Sequence, residues 1–204
     1  MIDLGLRCPT CMTPHLYNNP LQNADLIFVL AGRENRKQYG LELFHQGLAP
    51  EILFSVARFE IRRFSKMALP TQLDLLKVAQ DVPPPQRHFF VLFGGQRVHV
   101  EHVRPGHFGT LTEIESLARW LDGHDTIHSL LIISSDTHLR RIRMCCQSLL
   151  AASLRFALIA APDTSSKARK SESTTAVLVE MSKVLVYWAI LRLRRVWLRS
   201  TKGR

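Results

Sequence analysis

Leu26-Ile27-Phe28-Val29-Leu30 is an unbroken apolar run that stops at Ala31-Gly32. Such a run reads as a strand buried on both faces, the environment of a parallel sheet. Between Arg33 and Gln46, Tyr39, Leu43 and Phe44 recur at helical spacing among charged residues, and Gly47 stands where a helix C-cap belongs. Pro50 follows, and Ile52-Leu53-Phe54-Ser55-Val56 is a second strand. The same alternation continues to the far end of the chain. A basic stretch from Arg58 to Lys66 precedes a helix expected over Thr71–Gln80, which Pro83-Pro84-Pro85 ends. A third strand, His88–Phe93, stops at Gly94-Gly95, and Val98, Val100 and Val103 mark a further extended piece before the Pro105-Gly106 turn.

Thr110–Leu121 reads as a helix in which Thr110 and Glu113 have the spacing of a capping box. Leu130–Ile133 is the next strand, Leu139–Leu150 the next helix and Phe156–Ala160 the last strand. Strand and helix alternating in this way imply right-handed crossovers and an α/β fold, a Rossmann-like three-layer sandwich with a mainly parallel central sheet. The expected organisation is an extension over 1–23, the α/β domain over 24–161, a polar linker over 162–175, and a helix with a basic tail over 176–204.

The 204 residues carry 27 Lys and Arg against 17 Asp and Glu and are 46% hydrophobic, enough for one sizeable core and too apolar for a disordered chain. The net charge of +10 is uneven. Residues 1–166 hold 17 basic and 15 acidic side chains, whereas 167–204 hold 10 and 2. The body is nearly balanced, so the broad basic footprint of a nucleic-acid-binding domain is not expected. The amino-terminal residues lack the pattern of a signal peptide, and no run of about 18–20 uncharged apolar residues occurs. The expected compartment is the cytoplasm, with peripheral contact to an inner membrane as the one extension. Cys8/Cys11 and Cys145/Cys146 do not read as a disulfide framework. Cys8, Cys11 and His15 supply three of the four groups of a structural zinc site but have no second pair nearby. Cys145 and Cys146 read as core residues.

Ligands in open α/β sheets lie beyond the carboxyl ends of the strands, where helix N-termini converge. Three junctions fit that position. Ala31-Gly32-Arg33 follows the first strand with Arg36 one turn later, and a lone glycine there permits close backbone approach without announcing a dinucleotide fingerprint. Ser134-Ser135-Asp136-Thr137-His138-Leu139-Arg140-Arg141 follows the Leu130–Ile133 strand. Its hydroxyls, free N–H groups and guanidinium groups suit an oxyanion, although Ser135 or Asp136 acting as a plain cap explains part of the pattern. Without a G-x-S-x-G elbow, the local Ser, His and Asp do not make a hydrolase triad. Gly109-Thr110-Leu111-Thr112-Glu113 is the third junction, where a cap and a ligand contact are both open. Glu60, just after the second strand among Arg58, Arg62 and Arg63, is placed to line the rim.

These segments together resemble the YdcF-like family, the domain of unknown function shared with SanA and ElyC proteins. The resemblance spans roughly Ala24–Ala161, and the Ser-x-x-x-His-x-x-Arg segment, Ser134 to Arg141, is its most specific part. It implies a Rossmann-like fold, a polar pocket at the strand ends, a link to bacterial envelope and lipid-carrier metabolism, and S-adenosylmethionine or a similar nucleotide as ligand. By position, Gly32 and Arg36 match the family's first motif, Thr110 its helix-start threonine, and Ser135, His138 and Arg141 its last motif. Departures mark a divergent branch: Ala31 replaces a second glycine, Gly109 an asparagine and Thr112 a glutamate, while Ala57-Arg58 replaces a glycine pair.

The expected function is binding of a phosphate-bearing or nucleotide-like small anion, with an extension to transferase or hydrolase chemistry on such a substrate. His138 is the candidate catalytic residue, donating a hydrogen bond or exchanging a proton near neutral pH. Gly32, Arg33, Arg36, Glu60, Thr110, Glu113, Ser134, Ser135, Arg140 and Arg141 are the candidate ligand-binding residues, and no metal set is read. A rival reading places an anionic membrane surface against the terminal helix, where Leu178, Met181, Leu185, Trp188 and Leu191 follow helical spacing beside Arg192, Arg194, Arg195 and Arg199. Core packing of Ala176–Leu191, with Lys183 and Tyr187 in the family's closing-helix role, competes with it.

Overall fold

The computed structural model describes residues 16–17, 23–70, 73–95, 97–104, 109–162 and 174–202, and for 16–17, 174–178 and 194–202 the backbone alone. The decisive apolar run forms β2 (Leu26–Val29), each of its four residues fully buried. The chain continues through α1 (Glu34–His45), β3 (Glu51–Ala57), the short helices α2 (Ile61–Phe64) and α3 (Leu75–Val78), β4 (His88–Gly94) and β5 (Arg97–His102). Then follow α4 (Gly109–Leu121), β6 (Ser129–Ser134), α5 (Leu139–Leu149), β7 (Arg155–Ala160) and α6 (Thr174–Lys202). A two-residue strand, β1 (Leu16–Tyr17), pairs antiparallel with β7 inside the region read as a plain extension.

The seven strands form one sheet in the order β1-β7-β6-β2-β3-β4-β5. β7, β6, β2 and β3 are parallel neighbours, with Leu26 opposite Glu51 on one side and Leu130 on the other. β4 runs antiparallel to β3, and β5 antiparallel to β4, so five of the seven strands point the same way. The period-two alternation divides the core into two layers. Ile27 and Val29 face α1, α2 and α3, while Leu26 and Phe28 face α4, α5 and α6. The result is a three-layer Rossmann-like α/β sandwich. Gly40 lets α1 sit close to the sheet, because a Cβ there would stand 2.6 Å from Val29 Cγ2.

One of the expected elements changes on the structure. Of the helix expected over Thr71–Gln80, the described residues 73–80 hold a single turn, α3, with Asp74 accepting from Lys77 N at 3.2 Å. With no long helix to carry it back across the sheet, the chain re-enters from the opposite end, and β4 is antiparallel. The terminal helix packs on the body by the face that carries Tyr187. Tyr187 and Leu191 are buried against α5 and α4, whereas Met181, Leu185 and Trp188 point outward. The face read from Met181, Leu185 and Trp188 is therefore the solvent face. Cys145 and Cys146 lie in the core, where burial pushes the Cys145 thiol up to about 12. Cys8, Cys11, His15 and linker residues 163–173 lie outside the described residues.

β2 is where the sheet changes direction of growth: the chain moves from it to β3 on one side and later returns to β6 on the other. The helices that follow these neighbours, α1 and α5, leave on opposite faces. A crevice therefore opens between the carboxyl ends of β2 and β6.

Candidate functional site

Beyond β2, Leu30 still pairs with β6, its N–H donating to Ile133 O at 3.2 Å. The chain then breaks at Gly32, whose φ of +141° favours glycine and whose absent side chain leaves room for Arg36. A Cβ on Gly32 would stand 2.6 Å from Arg36 Nη1. Arg36, 5% exposed, is folded back over this turn. Its Nη1 donates to Ala31 O at 2.6 Å, and its Nε and Nη2 donate to Ser135 Oγ at 3.0 and 2.8 Å. One guanidinium thus bridges the ends of β2 and β6, and its hydrogen-bonding partners are neutral.

Glu113, from the first turns of α4, is the acid under this bridge. Its Oε1 accepts from Ala31 N at 2.8 Å and from Ser55 Oγ at 2.5 Å. The capping box is therefore not formed. α4 begins at Gly109, Thr110 lies within it, and the Glu113 carboxylate crosses to β2 and β3 instead of closing on its own helix. Thr110 Oγ1 accepts from Arg141 Nε at 3.3 Å, and the Thr110 and Leu111 N–H groups turn to the Tyr187 hydroxyl.

Below Glu113 the polar network continues through β3 and β4. Ser55 has one hydroxyl proton, and it goes to Glu113, so His88 Nε2, 2.7 Å away, donates to Ser55 Oγ. Burial, then Lys37 and His102, hold the His88 imidazole neutral, at about 4. The sign follows directly. A group depressed from 6.5 to about 4 contributes stability above pH 6.5 that is lost as the pH falls toward 4. The difference amounts to roughly 3 kcal/mol. Urea midpoints measured from pH 7 to 4.5 are expected to fall, and to fall less in His88→Asn. A midpoint indifferent to pH over that range rules out the buried neutral imidazole.

Lys37, one residue beyond Arg36, is 2% exposed and forms an ion pair with Glu60, which also accepts from Gly32 N–H. Glu60 thus acts beneath the turn, holding it, and is not at the cavity wall.

On the other side, α6 closes the crevice. Glu180 accepts from Arg141 Nη1, and its Oε1 accepts from Lys183 Nζ at 2.8 Å. His138 Nδ1 is 3.6 Å from the same carboxylate. Burial, then Arg141 and Arg36, push the His138 imidazole down to about 4, and Glu180 only partly opposes them. The Glu180 contact is therefore not an ion pair at neutral pH, and His138 does not titrate near pH 7 as its sequence context implied. Arg141 Cζ lies 5.4 Å from the centre of the Tyr187 ring.

These groups enclose a cavity of about 540 Å³. Gly32, Arg36, Thr110, Glu113, Ser134, His138 and Arg141 line it, joined by Ser182, Lys183, Val186 and Tyr187 of α6. Five elements, α1, α4, β6, α5 and α6, contribute together with the turns after β2 and β6. A larger hollow of about 810 Å³ is lined only by the local segment from Arg62 to Leu76 and brings no distant residues together. Ser134 Oγ is fully buried and has no hydrogen-bond partner among the described residues. A buried hydroxyl left unmatched costs about 1–3 kcal/mol, so its position on the cavity wall marks where a ligand atom or water belongs.

Set against family models, curated proteins and solved structures, the chain matches none.

Of the candidate residues, Ser135 reaches the site by holding Arg36, while Arg33 and Arg140 are exposed and do not line the cavity. On a helix a neighbour one position away points about 100° elsewhere. Sequence reasoning missed Lys37, Ser55, His88 and Glu180. Ser55 was the readable signal, a lone polar residue inside an apolar strand, and Glu180 another, the one acid in a basic helix. Among the described residues no three His, Cys, Asp or Glu side chains cluster as metal ligands.

Proposed function

We propose that the cavity between β2 and β6 binds a small anion bearing a phosphate or a similar oxyanion, as in a nucleotide. The observation that carries this reading is the convergence of Arg36, Arg141 and Lys183 on a space that also holds the unmatched Ser134 hydroxyl. Three cations meet two carboxylates there, Glu113 and Glu180, so a small anion neutralises the surplus. The Arg36 guanidinium, held by neutral partners, retains its charge for a ligand. The place also suits the reading, since the crevice lies at the crossover point where open α/β sheets bind ligands.

His138 enters as a hydrogen-bonding neutral imidazole. A bound anion raises its proton affinity, because an added negative charge opposes the two arginines that depress it. Proton exchange at His138 therefore belongs to the liganded state, and that is where transferase or hydrolase chemistry on a phosphate-bearing substrate would use it. The resemblance to YdcF-like proteins, with S-adenosylmethionine or another nucleotide as ligand and an envelope role, agrees with this site and adds to the probes worth testing.

The test is a thermal-shift panel of inorganic phosphate, nucleotides, S-adenosylmethionine and polyprenyl phosphate. A stabilising ligand is expected among them. Its shift should disappear in Arg141→Ala and shrink in His138→Ala, with the unliganded melting point followed separately. If the shift survives both substitutions, the ligand binds elsewhere and the site is wrong.

A further inference from the structure

Helix α6 has two faces of opposite chemistry. Glu180, Lys183 and Tyr187 turn toward the cavity and Leu191 toward the core. Away from them, Met181, Leu185 and Trp188 are 58%, 64% and 52% exposed. Their spacing of four and three residues stacks them in one stripe. Val179, Val186 and Leu193 are exposed on another side of the helix, more than about 70° round from the stripe, so six of the nine large apolar side chains exposed among the described residues sit on this one helix but on two of its sides. The stripe from Met181 to Trp188 covers about 10 Å at 1.5 Å per residue. Exposed apolar side chains grouped in this way on one helix mark a contact.

The charge beside the stripe selects the partner. Arg192 Cζ lies 5.3 Å from the centre of the Trp188 ring, and residues 192–204 contain six Lys and Arg and no acid. A second copy paired in parallel would bring one such basic segment against another, and paired antiparallel about Leu185 it would set residues 192–204 against the sequence 166–178, whose three Lys and Arg against one acid offer no complement. Residues 1–22 of the same chain offer one acid, Asp3, and one arginine, Arg7, and so no complementary charge. No described helix is long and apolar enough to cross a membrane. Apolar side chains with a tryptophan and a basic flank are what an anionic lipid–water interface accepts.

We infer that α6 docks on an anionic lipid bilayer, with Met181, Leu185 and Trp188 entering the headgroup–acyl boundary and the basic residues after Leu191 meeting the lipid phosphates. Each Lys or Arg near an anionic surface strengthens partitioning by roughly fivefold, and salt screens that part. The apolar stripe supplies the remainder and is insensitive to salt.

The experiment is co-sedimentation of the full chain with vesicles of phosphatidylcholine alone and of phosphatidylcholine mixed with phosphatidylglycerol, at low and moderate salt. Binding is expected to the mixed vesicles only. Leu185→Glu combined with Trp188→Glu should reduce it at least tenfold, with an unchanged melting point because both side chains are exposed. Arg194→Gln, Arg195→Gln and Arg199→Gln together should remove the salt-sensitive part. Failure to bind the mixed vesicles overturns the inference. So does equal binding by the glutamate variant, which would reduce the contact to charge alone, and so does a dimer that this variant turns into a monomer, which would place a second copy on the face. The cavity's thermal shift is independent of each outcome, so this inference and the ligand reading fail separately.

Discussion

Glu60→Ala is expected to destabilise the fold by about 3–5 kcal/mol, the usual consequence of removing one member of a buried ion pair. Lys37 is 2% exposed and its described ion-pair partner is Glu60. Burial pushes the Lys37 amine down and the Glu60 carboxyl up, and each opposes the effect on the other. Without Glu60, Lys37 must give up its proton or draw water into the core beneath β3. The Gly32 N–H loses its acceptor at the same time. Urea unfolding followed by circular dichroism measures the loss. Lys37→Met combined with Glu60→Leu should restore most of it, because two apolar groups of similar volume leave no stranded charge. That recovery separates a buried-charge effect from simple loss of packing. A Glu60→Ala protein within about 1 kcal/mol of the wild type contradicts the role given to the pair.

The substitution also shows why parts of this molecule were legible in sequence and others were not. β2 and β6 stand out because a strand buried on both faces needs an unbroken apolar run, and the polar residues that follow each run must lie at the strand ends. Arg36, Ser134, Ser135, His138 and Arg141 were found by that rule. Lys37 was not, since a lysine beside an arginine on a charged helix looks solvated until its buried partner is known. Direction is equally invisible: His88–Phe93 reads as a strand whichever way it runs, and the brevity of α3 decides that β4 is antiparallel.

Thr110 and Glu113 illustrate the same limit. Their spacing fits a capping box, but Glu113 meets Ala31 and Ser55, which are 82 and 58 residues away in the chain. Local spacing cannot rank a long-range partner against a local one. In α6, apolar residues occur on almost every side, so two faces satisfy helical spacing. The choice fell to Tyr187, whose hydroxyl finds the first-turn N–H groups of α4.

Glu180→Gln is expected to raise the affinity of the cavity for its anion, although it removes a charged contact. Glu180 is the acid on α6 that Arg141 and Lys183 both grip, and it stands beside His138. It occupies the electrostatic position that a ligand phosphate would take. Two unit negative charges about 4 Å apart repel by about 4 kcal/mol at an effective dielectric near 20. Glu180 is 20% exposed, so solvent screens part of this, and a gain of roughly ten- to a hundredfold is the reasonable expectation. Glutamine keeps an acceptor for Arg141 Nη1 but releases Lys183 and the positive charge. The fold should lose only about 1–2 kcal/mol, since Tyr187 and Leu191 still bury α6 on the body. Two readouts decide the matter. Titration calorimetry with the ligand selected by thermal shift should show tighter binding in Glu180→Gln. Proton NMR of the His138 ring should show its pKa falling further in the unliganded variant, because the one carboxylate that supports the protonated form has gone. Weaker binding in Glu180→Gln would instead make Glu180 a group that contacts the ligand, and the carboxylate would then be reading a cation or a hydroxyl on it.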